Sequence, residues 1–139
     1  MDADSLPPAE FAFPGPLRDS LVAAILDGSK TSTSSTLAGY AVDGEPLPQV
    51  GERAAVVDSD GRRVAVIETT EVRHRRLGDV DLAFAIDEGE GYTSVAEWRA
   101  GHERFWHSDE VRAEMGDPDY TVDDDTELVL ERFVVVRRL

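Results

Sequence analysis

The chain has no cysteine, and only one of its fourteen basic residues, Lys30, is a lysine. Without thiols there are no disulfides, no thiolate metal sites and no cysteine nucleophile. Long apolar runs are also missing: no stretch approaches the roughly 18 residues a membrane span needs. The first residues, Met1-Asp2-Ala3-Asp4, are acidic rather than apolar, unlike a secretory leader. A cytoplasmic protein with no membrane partner is expected. Cations are the other scarcity, since 29 acidic residues against 14 basic ones leave a net charge of −15. Non-specific nucleic-acid binding runs on neutralised phosphates and released counterions, so a broad basic binding face is not available here. Any RNA contact must be a local pocket, and DNA is not an expected partner.

What is present fits one domain. A length of 139 residues with 41% hydrophobic and 31% charged residues is ordinary for a soluble fold with a single core. Residues 1–16 carry Pro7, Pro8, Pro14 and Pro16 around Phe11 and Phe13, which reads as an extended arm preceding a domain over 17–139. Helical spacing of Leu17, Leu21, Val22, Ala24 and Ile25 predicts a helix stopped by Gly28. Six hydroxyl residues follow, Thr31 to Thr36, and composition leaves a strand and a flexible linker both open. Arg53–Asp58 and Val64–Val72 flank Asp60-Gly61, a strong hairpin signal. A short helix is expected over Asp79–Ile86. Ser94 with Glu97 is a capping box opening a longer helix through Trp98, Phe105 and Trp106, with a further turn or two over Asp109–Met115. Glu127–Arg137 alternates as a last strand burying Leu128, Leu130, Phe133 and Val135. The pattern is α+β, with strands too few and too short for a doubly wound sheet.

The chemistry centres on Lys30. An arginine is effectively always protonated, whereas a desolvated lysine can shed its proton and act as base or nucleophile. In Gly28-Ser29-Lys30-Thr31-Ser32-Thr33 an amine stands beside hydroxyls, the pairing used in Ser–Lys acyl transfer. The same donors also suit a phosphate or a base edge without turnover. Strand alternation would set Lys30 and Thr33 on opposite faces, while a bend before Thr31 would bring both to one pocket.

Several of these motifs recur together in a known family. The first helix, Gly28-Ser29-Lys30-Thr31-Ser32-Thr33, Gly51-Glu52, Ile67-Glu68-Thr69-Thr70-Glu71-Val72, Glu88-Gly89-Glu90-Gly91 and Ala96-Glu97-Trp98 appear in an order and spacing that resembles the ASCH family. The resemblance runs from about Phe11 to the last strand and looks closest to the longer bacterial members. It implies a PUA-like β-barrel with flanking helices and a cleft beside the first helix. It further implies RNA association, with one branch resembling amidohydrolases of N4-acetylcytidine and another linked to ribonuclease activity. Carried over by motif, the catalytic set is Lys30 as base, Thr33 as nucleophile and Glu90 as acid, with Glu88 the alternative acid. Thr31, Ser35, Tyr40, Glu88, Tyr92 and Trp98 are the candidate substrate contacts. Ser35 stands where the small amidohydrolases carry an arginine, which bears on phosphate or carbonyl binding.

Other groups offer less. His102 and His107 are five apart, not the four that puts two ligands on one helical face, so no metal site is expected, nor any other cofactor. Trp98 and Trp106 lie at core spacing, although either ring could stack on a base. Arg73, Arg75 and Arg76 form the one basic cluster, read as a solvated strand edge. The expected partner is a modified nucleoside or single-stranded RNA; a ligand-binding domain without turnover is the third reading.

Overall fold

A computed structural model describes residues 3–139, so Met1 and Asp2, part of the acidic start noted above, lie outside the described residues. Five strands, β1 (Pro8–Ala9), β2 (Ser32–Thr36), β3 (Arg53–Val57), β4 (Arg63–Arg76) and β5 (Glu127–Arg138), form one sheet in the order β1-β3-β4-β5-β2. Its backbone is the Asp60-Gly61 hairpin, with β3 (Arg53–Val57) antiparallel to β4 (Arg63–Arg76). β4 runs further than its alternation suggests, because its second half pairs along β5 (Glu127–Arg138) as far as Arg76 against Glu127. The hydroxyl segment resolves as β2 (Ser32–Thr36), an edge strand antiparallel to β5. At the opposite edge β1 (Pro8–Ala9) lies parallel to β3. The sheet curls into a half-barrel, and the fold is α+β, as the alternating strands and amphipathic helices lead one to expect.

The proline-rich beginning is stitched to the sheet. Arg63 donates to the carbonyls of Ala3 and Leu6, and the buried Arg18 donates to those of Phe11 and Ala12. α1 (Pro16–Asp27) starts at a proline, whose missing N–H costs nothing at that position, and packs Val22 and Ile25 with Phe11, Ile67 and Phe133 on one face of the sheet. Val135 is only half-buried against this cluster, since β5 leaves the core there.

The other face carries the helical half. After a 3-10 turn at Leu77–Asp79 comes α3 (Leu82–Asp87), capped by the Asp81 side chain. α4 (Val95–Trp106) opens on Ser94, whose hydroxyl accepts the Glu97 N–H, and α5 (Asp109–Met115) follows. Leu77, Phe84, Trp98, Trp106, Leu128 and Leu130 fill this second core. One helix had no clear signal: α2 (Leu37–Asp43), only seven residues long and capped by Thr36, the last of the hydroxyl run. The basic cluster lies within β4, and Arg73 and Arg76 are neutralised by Glu71, Asp79 and Asp125. Among the described residues no helix is long and apolar enough to cross a membrane.

Candidate functional site

Two chain segments are clamped together around Lys30. α1 ends as Gly28 turns left-handed, and the Lys30 N–H donates to the Ala24 carbonyl. The Thr31 N–H donates to the Asp87 carbonyl (2.8 Å), while the Thr31 carbonyl accepts from Phe133 N–H (3.1 Å). The loop after α3 then crosses directly over Lys30. Gly89 takes φ +74°, and a Cβ at that position would lie 2.7 Å from both the Cα and the N of Lys30. Only glycine permits so close an approach in that conformation.

The Lys30 side chain is 2% exposed. Its ammonium donates to the carbonyls of Ser32 (2.8 Å) and Glu88 (3.2 Å), and stands 3.8 Å from Glu88 Oε1. The Phe11 ring lies 5.7 Å from Nζ. Burial pushes the amine below the usual lysine range, and the charges of Glu88 and Glu90 restore only part of the shift.

Glu88, equally buried, holds the centre of the network. It accepts from the Ser34 hydroxyl (3.1 Å) and from the Trp98 indole N–H, and lies 3.3 Å from His102 Nε2. Burial acts to raise its pKa, but the hydrogen bond and charge of His102, the charge of Lys30 and the Trp98 donor outweigh it and hold it below the ordinary carboxylate range. Glu90, 3.6 Å from the same imidazole nitrogen, goes the other way: burial raises it. Two neighbouring carboxyls are thus driven apart, Glu88 toward the ionised form and Glu90 toward the protonated one.

These groups line a cleft of about 800 Å³ on whose wall Lys30, Thr33, Glu88, Glu90, Ser35, Tyr40 and Tyr92 all stand. β2 serves it from both faces, as a free edge strand can. Ser34 turns to Glu88, while Thr33 and Ser35 face the side of Glu131, the register partner of Thr33, and of Tyr40, which Ser35 hydrogen-bonds. Tyr92 lays its hydroxyl against Gly101 of α4, where a Cβ would come within 2.0 Å of that oxygen, which accounts for a glycine inside a helix. Thr31 and Trp98 are set back from the cleft wall. The Thr31 amide and carbonyl are spent on Asp87 and Phe133, and Trp98 has no exposed surface. The sequence singles out His102 only through its five-residue spacing from His107, and Ser34 only as one of six hydroxyls. The available signal was the i,i+4 spacing of Trp98 and His102 on one helical face, because it aims both rings at the same acidic loop.

An ASCH domain family model matches residues 10–137. The chain belongs to the ASCH family. A solved ASCH domain from Lactobacillus crispatus is 32% identical, with a TM-score of 0.76 over 95% of this chain and 81% of that one. A protein structure from Enterococcus faecalis V583 is 26% identical, with a TM-score of 0.81 over 95% of this chain and 77% of that one. An ASCH protein from Zymomonas mobilis, solved as a tyrosine-to-phenylalanine mutant, shares the fold at 10% identity and a TM-score of 0.51, over 95% of this chain and 73% of that one. Comparison with curated proteins gives no match.

Glu88, Glu90 and His102 bring one potential ligand atom each within 4.8 Å of one another. In this ASCH domain Glu88 already accepts from Ser34 and Trp98 and has the Lys30 ammonium beside it, so protein donors and a protein cation serve it. His107 is engaged elsewhere, accepting from the Val122 N–H (3.0 Å).

The cleft also carries a second strained carboxyl. Glu131 is pushed up by burial, with the Tyr40 hydroxyl 3.5 Å away as donor. A carboxyl raised in the folded state stabilises below its unfolded pKa and costs stability once pH rises through the folded value. Glu131→Gln is therefore expected to raise the thermal midpoint at about pH 7.5. The gain should shrink toward zero near about pH 4, where the unfolded carboxyl is itself protonated. A melting series over that range, with a gain that does not depend on pH, would contradict this account.

Proposed function

We propose that this ASCH domain hydrolyses the N-acyl amide of a modified nucleoside, with N4-acetylcytidine as the type substrate. The observation that carries the reading is a lysine that burial drives toward its neutral form, on the wall of the cleft that also bears Thr33 and a Glu90 whose pKa burial raises. Thr33 Oγ adds to the acyl carbon while Lys30 Nζ takes its proton. The carbon–nitrogen bond then breaks, with Glu90 supplying the proton that the departing amine needs. Water then adds to the acyl ester, giving its proton to the Glu90 carboxylate, while Lys30 returns the proton it holds to Thr33 Oγ as the ester bond breaks. Both groups are restored, and the net change is addition of one water across the amide. The Thr31 N–H, a candidate for the oxyanion, is committed to Asp87, which leaves that task to other donors.

The alternative is a ribonuclease or an RNA-binding module using Lys30 as a phosphate contact. The charge on the cleft wall favours the first reading. Besides Glu88 and Glu90 it carries Glu10, Glu45, Glu52, Glu114 and Glu131, against the guanidinium groups of Arg53 and Arg104. Arg53 is itself paired with Glu68. Such a wall repels a chain of phosphates.

The test is incubation of the protein with N4-acetylcytidine, its 5′-monophosphate and a short single-stranded RNA, each at low and high salt, followed by chromatography. Acetate and cytidine are expected from the nucleoside, with little response to salt and at least about 10-fold slower turnover of the monophosphate. RNA cleavage with the nucleoside untouched would move the assignment to the ribonuclease. No turnover of any of the three would overturn the hydrolase.

A further inference from the structure

The environment of His102 fixes more protons than its packing role requires. Its Nδ1 lies 2.9 Å from the Trp98 carbonyl, an atom that can only accept, so Nδ1 carries a hydrogen. Its Nε2 faces Glu88 Oε2 at 3.3 Å and Glu90 Oε2 at 3.6 Å. A bare nitrogen lone pair pointed at Glu88, the nearer of the two and the one held toward its ionised form, would meet repulsion. The ring is held in this orientation from three sides, stacked on Trp98 with centroids 4.4 Å apart, edge-on to Trp106 at 5.3 Å and 6.1 Å from the Tyr92 ring. It cannot relieve the conflict by turning away. A second hydrogen on Nε2 resolves it.

We propose that His102 is a standing imidazolium which balances the buried Glu88 and thereby leaves Lys30 free to give up its proton. Glu88 is 2% exposed, and a carboxylate so buried needs a cation beside it. Two groups can supply one: Lys30, 3.8 Å from Oε1, and His102, 3.3 Å from Oε2. If Lys30 were the sole counter-ion, Glu88 would hold it protonated and useless as a base. With His102 charged, Glu88 stays compensated when the lysine is neutral. His102 acts through Lys30 and is a positioning residue, not a group that touches the substrate. Glu88, Glu90 and Lys30 are the charged groups around it, Tyr92 the remaining titratable one, and the two indoles contribute only ring faces. Desolvation works against the charge, and the Glu88 hydrogen bond with the Glu88 and Glu90 charges overrides it.

This inference deepens the hydrolase reading and rests on it for the role of Lys30, but its first test does not need turnover. In protein labelled with ¹⁵N at histidine, both ring nitrogens of His102 should show the protonated signature at about pH 7.5. A free imidazole with a pKa of about 6.5 is mostly neutral there. A neutral ring at that pH overturns the proposal whether or not the protein is an enzyme. The second test is His102→Gln, which keeps a donor toward Glu88 and removes the charge. Lys30 then becomes the only counter-ion, so the limb of the kcat/KM profile that reports its deprotonation should move to higher pH. Activity at about pH 7 should fall roughly 10-fold or more and recover in alkali, the size expected of a one-unit displacement. A loss uniform across pH, or a limb that stays in place, refutes the role assigned to the charge.

Discussion

Lys30→Met is expected to reduce turnover of the acylated nucleoside by about 1,000-fold or more while the protein remains folded. Methionine matches the length of the lysine stem, so the loss is chemical rather than volumetric. The carbonyls of Ser32 and Glu88 lose a donor, and Glu88 loses one of its two cations. Unmet buried acceptors cost about 1–3 kcal/mol each, partly offset here because Glu88 keeps Ser34, Trp98 and His102. A domain of ordinary stability, about 5–15 kcal/mol, survives that. On the proposed mechanism, removing the base of the acyl-transfer pair is the larger effect, since general-base catalysis alone is worth about 100- to 10,000-fold and nucleophile and base act as a unit. Lys30→Arg separates the two roles left to this side chain. Arginine retains the charge and donors but cannot lose its proton at neutral pH. A base role predicts that Arg is as dead as Met, and Thr33→Ala with it. Substantial activity in Lys30→Arg would show that the charge, not the proton transfer, was needed.

Gly89→Ala is expected to destabilise the protein by about 2–4 kcal/mol, against about 1 kcal/mol for Gly91→Ala only two residues along. Both glycines have positive φ, +74° and +83°, and alanine pays a conformational cost of about 1 kcal/mol or somewhat more in either place. Gly91 has nothing within 4 Å of its notional Cβ, so that cost is the whole effect. At Gly89 the added carbon meets the backbone of Lys30 at 2.7 Å, and a backbone held by Ala24, Asp87 and Phe133 cannot move aside. Overpacking against such a wall costs about 1–3 kcal/mol more. The loop carrying Glu88 and Glu90 should lift from Lys30, and turnover should fall further in Gly89→Ala than in Gly91→Ala. Denaturant unfolding of the two variants measures the difference. Equal losses would mean that the two segments are not in the contact described.

Much of this was readable before any fold was in hand. A period of 3.6 in Leu17–Leu26, the Asp60-Gly61 turn and the Ser94–Glu97 capping box are local signals, because backbone geometry over four to ten residues decides them. The single lysine among its hydroxyls, Thr33 with them, pointed to the candidate site, and the family motifs added Glu90 with Glu88 as the alternative. The hydroxyl run Thr31–Thr36 stayed undecided between strand and linker, since its conformation depends on β5, about a hundred residues away, which supplies every one of its sheet partners. For the same reason α2 escaped notice, its cap being the last residue of that strand.

The sequence by itself determined that the chain has no thiol chemistry, an acidic surface hostile to polyanions, α+β construction and one lysine placed at a helix stop. Only the tertiary structure decided that Lys30 is buried, that Glu88 rather than Glu90 is its close partner and that His102 joins the network while Thr31 and Trp98 stand back from the cleft. Residue type and spacing set what a side chain can do locally. Desolvation and the charge of neighbours 14 and 58 positions away in sequence determine which protonation state it holds, and those exist only once the chain has closed on itself.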